Sequence, residues 1–521
     1  MADANFKIKN GLEFANGLDN IPIGYQALNS NTTGSDNIAL GYRALYSNTT
    51  GSFNITSGYK SLYFNTTGYG NIASGYYSLY YNTTGFNNLA LGATALYANT
   101  EGSENIAFGT NALSSNTAGN KNIAFGKSSL QYNTTGSLSI ATGTHALFNN
   151  LTGSKNIATG ASAMYSNTDG SYNIATGFAA LLSNTTGSKN IAIGGYSLYA
   201  NTEGNYNIAS GSYALTANTT GNYNIATGAN ALINNTTGSY NVATGANALF
   251  FNTTGHDNVA SGRNSLYSNT TGYDNVAIGQ DALKANMTGS HNYAFGYRSL
   301  YYNTTGGSNF AAGHYALSYN TTGNGNFSVG FWSMELNTTG SDNVAIGYAT
   351  LDQNSTGSDN IAIGDTAMKY NSTGSYNIAL GYSAMYGGTE SYMAAGTGSH
   401  NFAAGYSALA QYTTGQHNAA IGYSALGANT TGSYNIAMGK DALYYNTTGS
   451  RNVVIGYRAG YNETGSDKLY ISNSGTTTPL IYGDFSASVV TINGNLAVTG
   501  TAPGIMTDTR NAALILMDIG A

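Results

Sequence analysis

The sequence predicts an all-β protein, a parallel β-solenoid (β-roll) built from about 26 copies of a 17-residue unit. The first observation is the period, since Asn-Thr-Thr-Gly occurs at 31–34, 48–51, 65–68 and 82–85, and its Asn continues in the same 17-residue register to Asn371. The second is composition: charged residues make up 8% of the chain, against roughly 25% in ordinary soluble domains. A helical repeat is disfavoured because Gly and Thr interrupt every possible helix. Stacked units of this kind bury their core against their neighbours.

Each repeat is numbered here from its first glycine as position 0, and positions 0–16 read G-S-x-N-I-A-x-G-x-x-A-L-Y-x-N-T-T. Position 7 is always Gly, position 3 is Asn except at Ser139, and position 11 is almost always Leu or Met. Position 2 accepts nearly any residue. The constrained structural positions are represented by Asn37, Gly41, Leu45, Asn190, Gly194, Asn360 and Gly364.

Each constrained position has a physical interpretation. Residues 37–40 form a short predicted strand, with position 4 pointing inward and the small position 5 pointing outward toward a neighbouring backbone. Glycines at positions 0 and 7 are predicted to turn the chain with positive φ. Leu45 fills the core, Asn-Thr-Thr-Gly forms a turn, and Asn at position 3 forms a ladder with a spacing of about 4.8 Å.

The chain divides into three predicted regions. Residues 1–16 form an N-terminal cap or attachment arm, 17–465 the repeat shaft, with an insertion near 387–393, and 466–521 a β-rich C-terminal tip or oligomerisation segment. Strands are predicted at 468–472 and 479–483, and a hairpin with an Asn-Gly turn within 486–500. The apolar run 512–517 is predicted to be buried in an oligomer contact or to lie at the edge of a partner.

No catalytic motif is present, so the sequence predicts neither an enzyme nor a cofactor. The histidines are His145, His256, His291, His314, His400 and His417. His400 and His417 share position 2 on adjacent repeats, so their rings are expected to lie close together. A metal on the axis of a threefold assembly is one interpretation of this pair, and an exposed turn is the favoured one. Acids at positions 2 and 16 are predicted to be solvated rather than to bind Ca²⁺: Asp36, Glu101, Asp169, Asp274, Asp342 and Asp359.

Charge and hydropathy exclude further classes. The net charge is −6 with no basic stripe, which disfavours nucleic-acid binding, and neither a signal peptide nor a membrane-spanning run is found. Tyrosines at positions 8 and 12 predict long aromatic ladders, which either pack between repeats and chains or form a sugar-binding face. These tyrosines include Tyr42, Tyr46, Tyr59, Tyr63, Tyr76 and Tyr80.

The motif Asn-Ile-Ala-Ile-Gly at 190–194 and 360–364 resembles the YadA-like head repeat of trimeric autotransporter adhesins. That resemblance implies a left-handed β-roll with three chains side by side, although the family's unit is shorter than 17 residues. The whole chain resembles phage tail-fibre proteins, which use similar Asn-Thr-Thr-Gly repeats. Residues 2–17 and 469–500 resemble the ends of such fibres, especially those of marine phages.

The resemblance to tail fibres implies an extracellular virion protein, a homotrimer that binds a host cell-surface glycan or protein. It implies attachment to a phage tail or baseplate protein through one terminus, with 1–16 docking and 466–521 distal. Two alternatives stay open: a purely structural filament or spacer without receptor binding, and an ice-binding solenoid. Neither nucleic acid nor membrane insertion is expected.

Overall fold

The computed structural model describes residues 18–388 and 396–494, and this part of the chain is all β. Its 29 strands belong to one continuous sheet. The strands are β1 Ile21–Ile23, β2 Ile38–Leu40, β3 Ile55–Ser57, β4 Ile72–Ser74, β5 Leu89–Leu91, β6 Ile106–Phe108, β7 Ile123–Phe125, β8 Ile140–Thr142, β9 Ile157–Thr159, β10 Ile174–Thr176, β11 Ile191–Ile193, β12 Ile208–Ser210, β13 Ile225–Thr227, β14 Val242–Thr244, β15 Val259–Ser261, β16 Val276–Ile278, β17 Tyr293–Phe295, β18 Phe310–Ala312, β19 Phe327–Val329, β20 Val344–Ile346, β21 Ile361–Ile363, β22 Ile378–Leu380, β23 Phe402–Ala404, β24 Ala419–Ile421, β25 Ile436–Met438, β26 Val453–Ile455, β27 Lys468–Ile471, β28 Ile481–Asp484 and β29 Val489–Ile492.

Strands β1–β26 stack as the rungs of a parallel solenoid, which confirms the predicted fold class. Each strand pairs in register with the next repeat, for example Ile38 with Ile55 and Ala39 with Thr56. One coil therefore takes one 17-residue repeat. At an inter-strand spacing of about 4.8 Å, 26 rungs give a rod roughly 125 Å long.

The side of the coil opposite the strands, positions 8–16, is called the return side and consists of turns. Its rungs are joined by backbone bonds in both directions. Arg43 at position 9 donates its N–H to Tyr25 O of the preceding repeat at 2.9 Å, and Leu45 at position 11 donates to Ser61 O of the next at 3.0 Å. Both residues have positive φ, 54° and 52°, a region that non-glycine residues seldom adopt. The inter-rung hydrogen bonds stabilise this tight path.

The core is a narrow column of alanine, leucine and asparagine, and the sequence prediction for the two strand faces is wrong. Ala39 at position 5 is fully buried, whereas Ile38 and Leu40 on either side are 37% and 45% exposed. Beside Leu45 and the asparagines, the interior is filled by position-5 side chains, which are Ala in most repeats, and by small position-10 side chains, while the larger position-4 side chains lie outside. The position-5 alanines therefore line the chain's own core, and they cannot form a contact between chains.

The two invariant glycine positions are required for different reasons. Gly41, Gly194 and Gly364 at position 7 have φ of 134°, 125° and 130°, as predicted. Gly34 at position 0 does not have positive φ, which corrects the prediction. A Cβ on Gly34 would lie 2.2 Å from Gly51 O and 2.6 Å from Asn31 Oδ1, so close approach excludes a side chain there.

After β26 the solenoid ends in an antiparallel meander. Strand β27 pairs parallel with β26 and antiparallel with β28, and β28 pairs antiparallel with β29. Strands β27 and β28 confirm the two strands predicted there. Asn493-Gly494 follows β29 directly, and the second arm of the predicted hairpin lies outside the described residues, as do the arm 1–16 and the run 512–517.

Candidate functional surfaces

The position-3 asparagines form the predicted ladder inside the coil. Asn190 donates its backbone N–H to Asn173 Oδ1 at 2.9 Å and its side-chain amide to Gly204 O at 2.8 Å. Asn360 repeats this pattern with Asn343 and Gly374 at 3.0 and 2.8 Å. Each side-chain amide thus satisfies two buried backbone groups of the next repeat, a glycine C=O and an asparagine N–H, which is a structural role.

The single exception in this ladder preserves its chemistry. Ser139 accepts the backbone N–H of Asn156 through Oγ at 3.2 Å, in the place of an asparagine Oδ1. The hydroxyl is therefore an adequate acceptor, although it does not replace the amide donor to the glycine carbonyl.

A second asparagine ladder runs along position 14. Asn48 donates to Asn31 Oδ1 at 2.8 Å and to Gly51 O at 2.9 Å. The sequence reasoning treated this asparagine as local turn chemistry and missed the bond between repeats. Its strict 17-residue recurrence is the signal that could have revealed it.

Exposed side chains at positions 4 and 6 of β2–β26 make up one surface, called here the strand face, in which position 4 is apolar or aromatic throughout and position 6 is Ser or Thr in nine of the 25 strands. It carries Ile, Val, Leu and Phe side chains along the rod, among them Ile55, Phe108, Phe125, Ile278 and Ile436. No charged residue occurs in any of the strands β1–β26. Contiguous apolar surfaces beyond a few hundred Å² mark interaction sites on soluble proteins.

Aromatic ladders lie on the return side, as the tyrosine positions predict. At position 8, Tyr42 and Tyr59 stack with ring centroids 5.2 Å apart, and at position 12 Tyr46 and Tyr63 stack at 5.0 Å. A ring inside such a ladder has its neighbours against both faces and presents its edge to solvent. A sugar that needs a ring face is therefore accommodated only where a ladder is interrupted.

Position 2 places His291, His400, His417 and most of the predicted acids on an exposed edge, whereas His145, His256 and His314 occupy positions 9, 1 and 8. His400 and His417 stack at 4.8 Å between centroids, within a row that includes Tyr376 and Tyr434. His256 Nδ1 lies 2.7 Å from Asp257 Oδ2. Within residues 18–388 and 396–494 no group of three or more His, Cys, Asp or Glu side chains converges on a metal position.

One charged row replaces the aromatic ladder at position 12, where Glu335, Asp352 and Lys369 follow one another on adjacent repeats. The pKa of Asp352 is raised to about 6, mainly by burial. The nearby Glu335 carboxylate contributes to the increase, and the Lys369 ammonium opposes it. Its Oδ1 is buried and has no hydrogen-bond partner in the described part of the chain. This carboxyl is therefore poised to change its charge near neutral pH.

Comparison of the chain with protein-family models, with curated proteins and with solved structures finds no match. Among the described residues, no helix has the length and apolar character needed to cross a membrane. Arguments about function accordingly depend on the surfaces themselves.

Proposed function

We propose that this protein is the shaft of an extracellular adhesion fibre, a phage tail fibre, in which copies of the chain pack through their strand faces. The observation that carries the proposal is the length of that face, its lack of charge and its continuous apolar row at position 4. Two rows of side chains roughly 7 Å apart along about 115 Å cover on the order of 800 Å². Each partner in a standard-size protein interface buries about the same area.

The resemblance to tail fibres and to trimeric adhesins favours three copies. In that assembly each apolar face is covered, and the return sides with their tyrosine ladders face outward. The outward repeats would then make many weak contacts with a host surface, which multivalency converts into firm attachment.

The hydroxyls at position 15 argue against ice binding through the return side. Thr66 at position 15 donates its hydroxyl to Thr83 O of the next repeat at 3.1 Å, and Thr83 does the same to Thr100 O. These hydroxyls stabilise the coil instead of forming a free array that orders water.

The test is the native mass of the purified protein by light scattering, and we expect three chains. A double variant, Ile208→Glu with Ile225→Glu, places two charges on the strand face and should shift the mass toward one chain. The matched control, Tyr206→Glu with Tyr223→Glu, places the same charges at exposed position 2 of the same repeats and should leave the mass unchanged. A single-chain mass for the unaltered protein would contradict the assembly.

Adhesion is tested by co-sedimentation with intact bacterial cells. The assembled protein should sediment with cells of a susceptible strain, and the Ile208→Glu, Ile225→Glu variant should lose most of that binding because it presents one chain instead of several. Equal binding by the two forms would argue against a multivalent fibre. A fibre of the expected mass that binds no cells would favour the spacer alternative.

A further inference from the structure

The return side carries a shallow open cavity of about 570 Å³ along positions 13 and 15 of four consecutive repeats, between Ser115 and Thr168. Its volume lies within the range of roughly 300–1,000 Å³ that small-molecule sites occupy. Tyr132, an aromatic residue at the variable position 13, and Leu151, a departure from the consensus Thr of position 15, meet in this cavity.

Tyr132 is an aromatic ring whose faces are not covered by a ladder. Its neighbours at position 13 of the adjacent repeats are Ser115 and Asn149, which are too small to stack on it. Phe148 contacts it edge-on, with centroids 5.0 Å apart and ring planes at 90°. The side chain is 43% exposed, so this ring can offer a face to a ligand where the laddered tyrosines offer edges.

Leu151 stands where most repeats have Thr at position 15. The threonines of neighbouring repeats use their hydroxyls internally, as when Thr134 Oγ1 donates to Leu151 O at 2.8 Å. Leucine gives up that hydrogen bond and leaves an apolar side chain 41% exposed. The substitution brings no packing gain inside the coil, but it adds an apolar patch beside the Tyr132 ring.

Polar groups complete the cavity. The side chains of Ser115, Asn149 and Ser166 line it, and none has a hydrogen-bond partner in the described part of the chain. No charged side chain is among the residues that line the cavity. A hydrocarbon ligand would leave these polar groups without partners, and an anion would find no cation.

We propose that this cavity binds a neutral saccharide of the host surface. The apolar face of a sugar ring would lie on Tyr132 and Leu151, and its hydroxyls would bond to the Asn149 amide and the Ser115 and Ser166 hydroxyls. Aromatic surface beside a few fixed polar groups is the combination that recognises such amphipathic ligands. This inference rests on the proposed receptor-binding role and specifies the chemical class of the receptor.

The experiment is saturation-transfer difference NMR of the full chain with four neutral disaccharides: maltose, cellobiose, lactose and diacetylchitobiose. We expect binding of at least one, lost at least fivefold in Leu151→Thr and in Tyr132→Ala. Leu151→Thr restores the consensus residue, so it should fold at least as well as the unaltered chain.

Two matched control variants test whether the disaccharide binds at this cavity and not elsewhere on the return side. Met287→Thr restores the consensus at the other apolar residue in position 15, and Phe251→Ala removes a position-13 ring that is also 43% exposed. Both should bind as the unaltered chain does. Absence of binding for all four disaccharides, or an equal loss in the controls, would overturn the proposal.

Cell co-sedimentation separates this inference from the fibre proposal. Loss of cell binding by Leu151→Thr with an unchanged native mass would support the saccharide site as the receptor contact. Retained cell binding by the same variant would overturn it and leave the fibre standing. If the unaltered protein has a single-chain mass and binds no cells while the disaccharide still binds at Tyr132, the fibre proposal and the host-receptor assignment fail, and only saccharide binding stands.

Discussion

The strand side and the return side respond differently to the insertion that interrupts the repeat. On the strand side the ladder continues across it, since Ile378 pairs with Phe402 in the usual register although they are 24 residues apart. Asn401 donates its backbone N–H to Asn377 Oδ1 at 2.9 Å, as in a regular repeat. The extra seven residues therefore leave the strand side unchanged.

On the return side the same insertion breaks the position-14 ladder. Tyr412 stands at position 14 two repeats after Asn371, and its hydroxyl donates to Asn371 Oδ1 at 2.6 Å. Gly396 leaves room for the ring, because a Cβ there would lie 2.6 Å from Tyr412 Cζ. Beyond the gap, Asn429 Oδ1 is buried without a partner in the described chain. The strand side thus sets the register, and the return side absorbs irregularity.

The largest expected effect comes from a side chain at position 7 on the strand side. Gly194→Ala puts a Cβ 2.6 Å from Gly211 O, at a residue whose φ is 125°. We expect the free energy of local unfolding to fall by about 4 kcal/mol or more. Hydrogen exchange of the amides in residues 187–221 measures it. The control is the next residue: Gly195→Ala meets nothing within 4 Å and should be neutral. Equal effects at the two glycines would refute the steric account.

The second-largest effect is expected from the position-3 ladder on the strand side, in the repeat that follows the insertion. Asn401→Ala removes the acceptor of the Asn418 N–H, at 3.0 Å, and the donor to Gly415 O, at 2.9 Å. Because two buried backbone groups lose their hydrogen-bond partners, we expect the free energy of local unfolding to fall by about 3 kcal/mol. Exchange at the Asn418 amide reports it, with exposed His400→Ala as the control. Slow exchange at Asn418 in the variant would mean that the ladder is dispensable.

Much of the strand side could be predicted from the sequence because its constraints are periodic and chemical. The 17-residue register, the position-3 ladder and the position-7 turn follow from invariant Asn and Gly. The direction of the strand faces could not be predicted, because alternation alone does not tell which face is inside. An inward Ile38 is the natural expectation for an apolar residue, but the narrow coil buries the small Ala39 and leaves Ile38 37% exposed.

The return side was less predictable. Non-glycine residues such as Arg43 and Leu45 adopt positive φ there. Their residue types do not favour positive φ, so this backbone conformation could not be predicted from the sequence. The Tyr132 cavity is likewise visible only in space, since it forms where a ring at the variable position 13 meets a departure from the consensus at position 15. Its signal in the sequence was a leucine in a row of threonines.

A third prediction concerns the pH dependence of stability on the return side. Strands β1–β26 contain no charged residue, whereas the return side carries the partly buried carboxyl of Asp352. Because its folded pKa is raised to about 6, the folded chain binds more protons than the unfolded chain between the ordinary carboxyl pKa and that value. Local stability should therefore fall as pH rises from about 4 to 6, by about 2 kcal/mol after allowance for partial exposure. Exchange of residues 340–374, corrected for the intrinsic pH dependence, measures it.

Substitution at the three charged positions tests the cause of that pH dependence. Asp352→Asn should remove it and be the more stable form at pH 7. Glu335→Gln should weaken it, and Lys369→Met should strengthen it, because these are the neighbouring charges that act on Asp352. A pH profile that is unchanged in Asp352→Asn would assign the titration to another group.

The smallest expected effect is at the return-side break itself. Tyr412→Phe keeps the buried ring and removes only the hydroxyl that donates to Asn371 Oδ1. Because one buried acceptor then has no partner, the free energy of local unfolding should fall by about 1 kcal/mol. Exchange of the Ser372 and Gly396 amides, which donate to backbone carbonyls at this break, measures it, with Tyr46→Phe in a regular ladder as a neutral control. A loss as large as that of Asn401→Ala would mean that the return side also sets register, and the distinction between the two sides would fail.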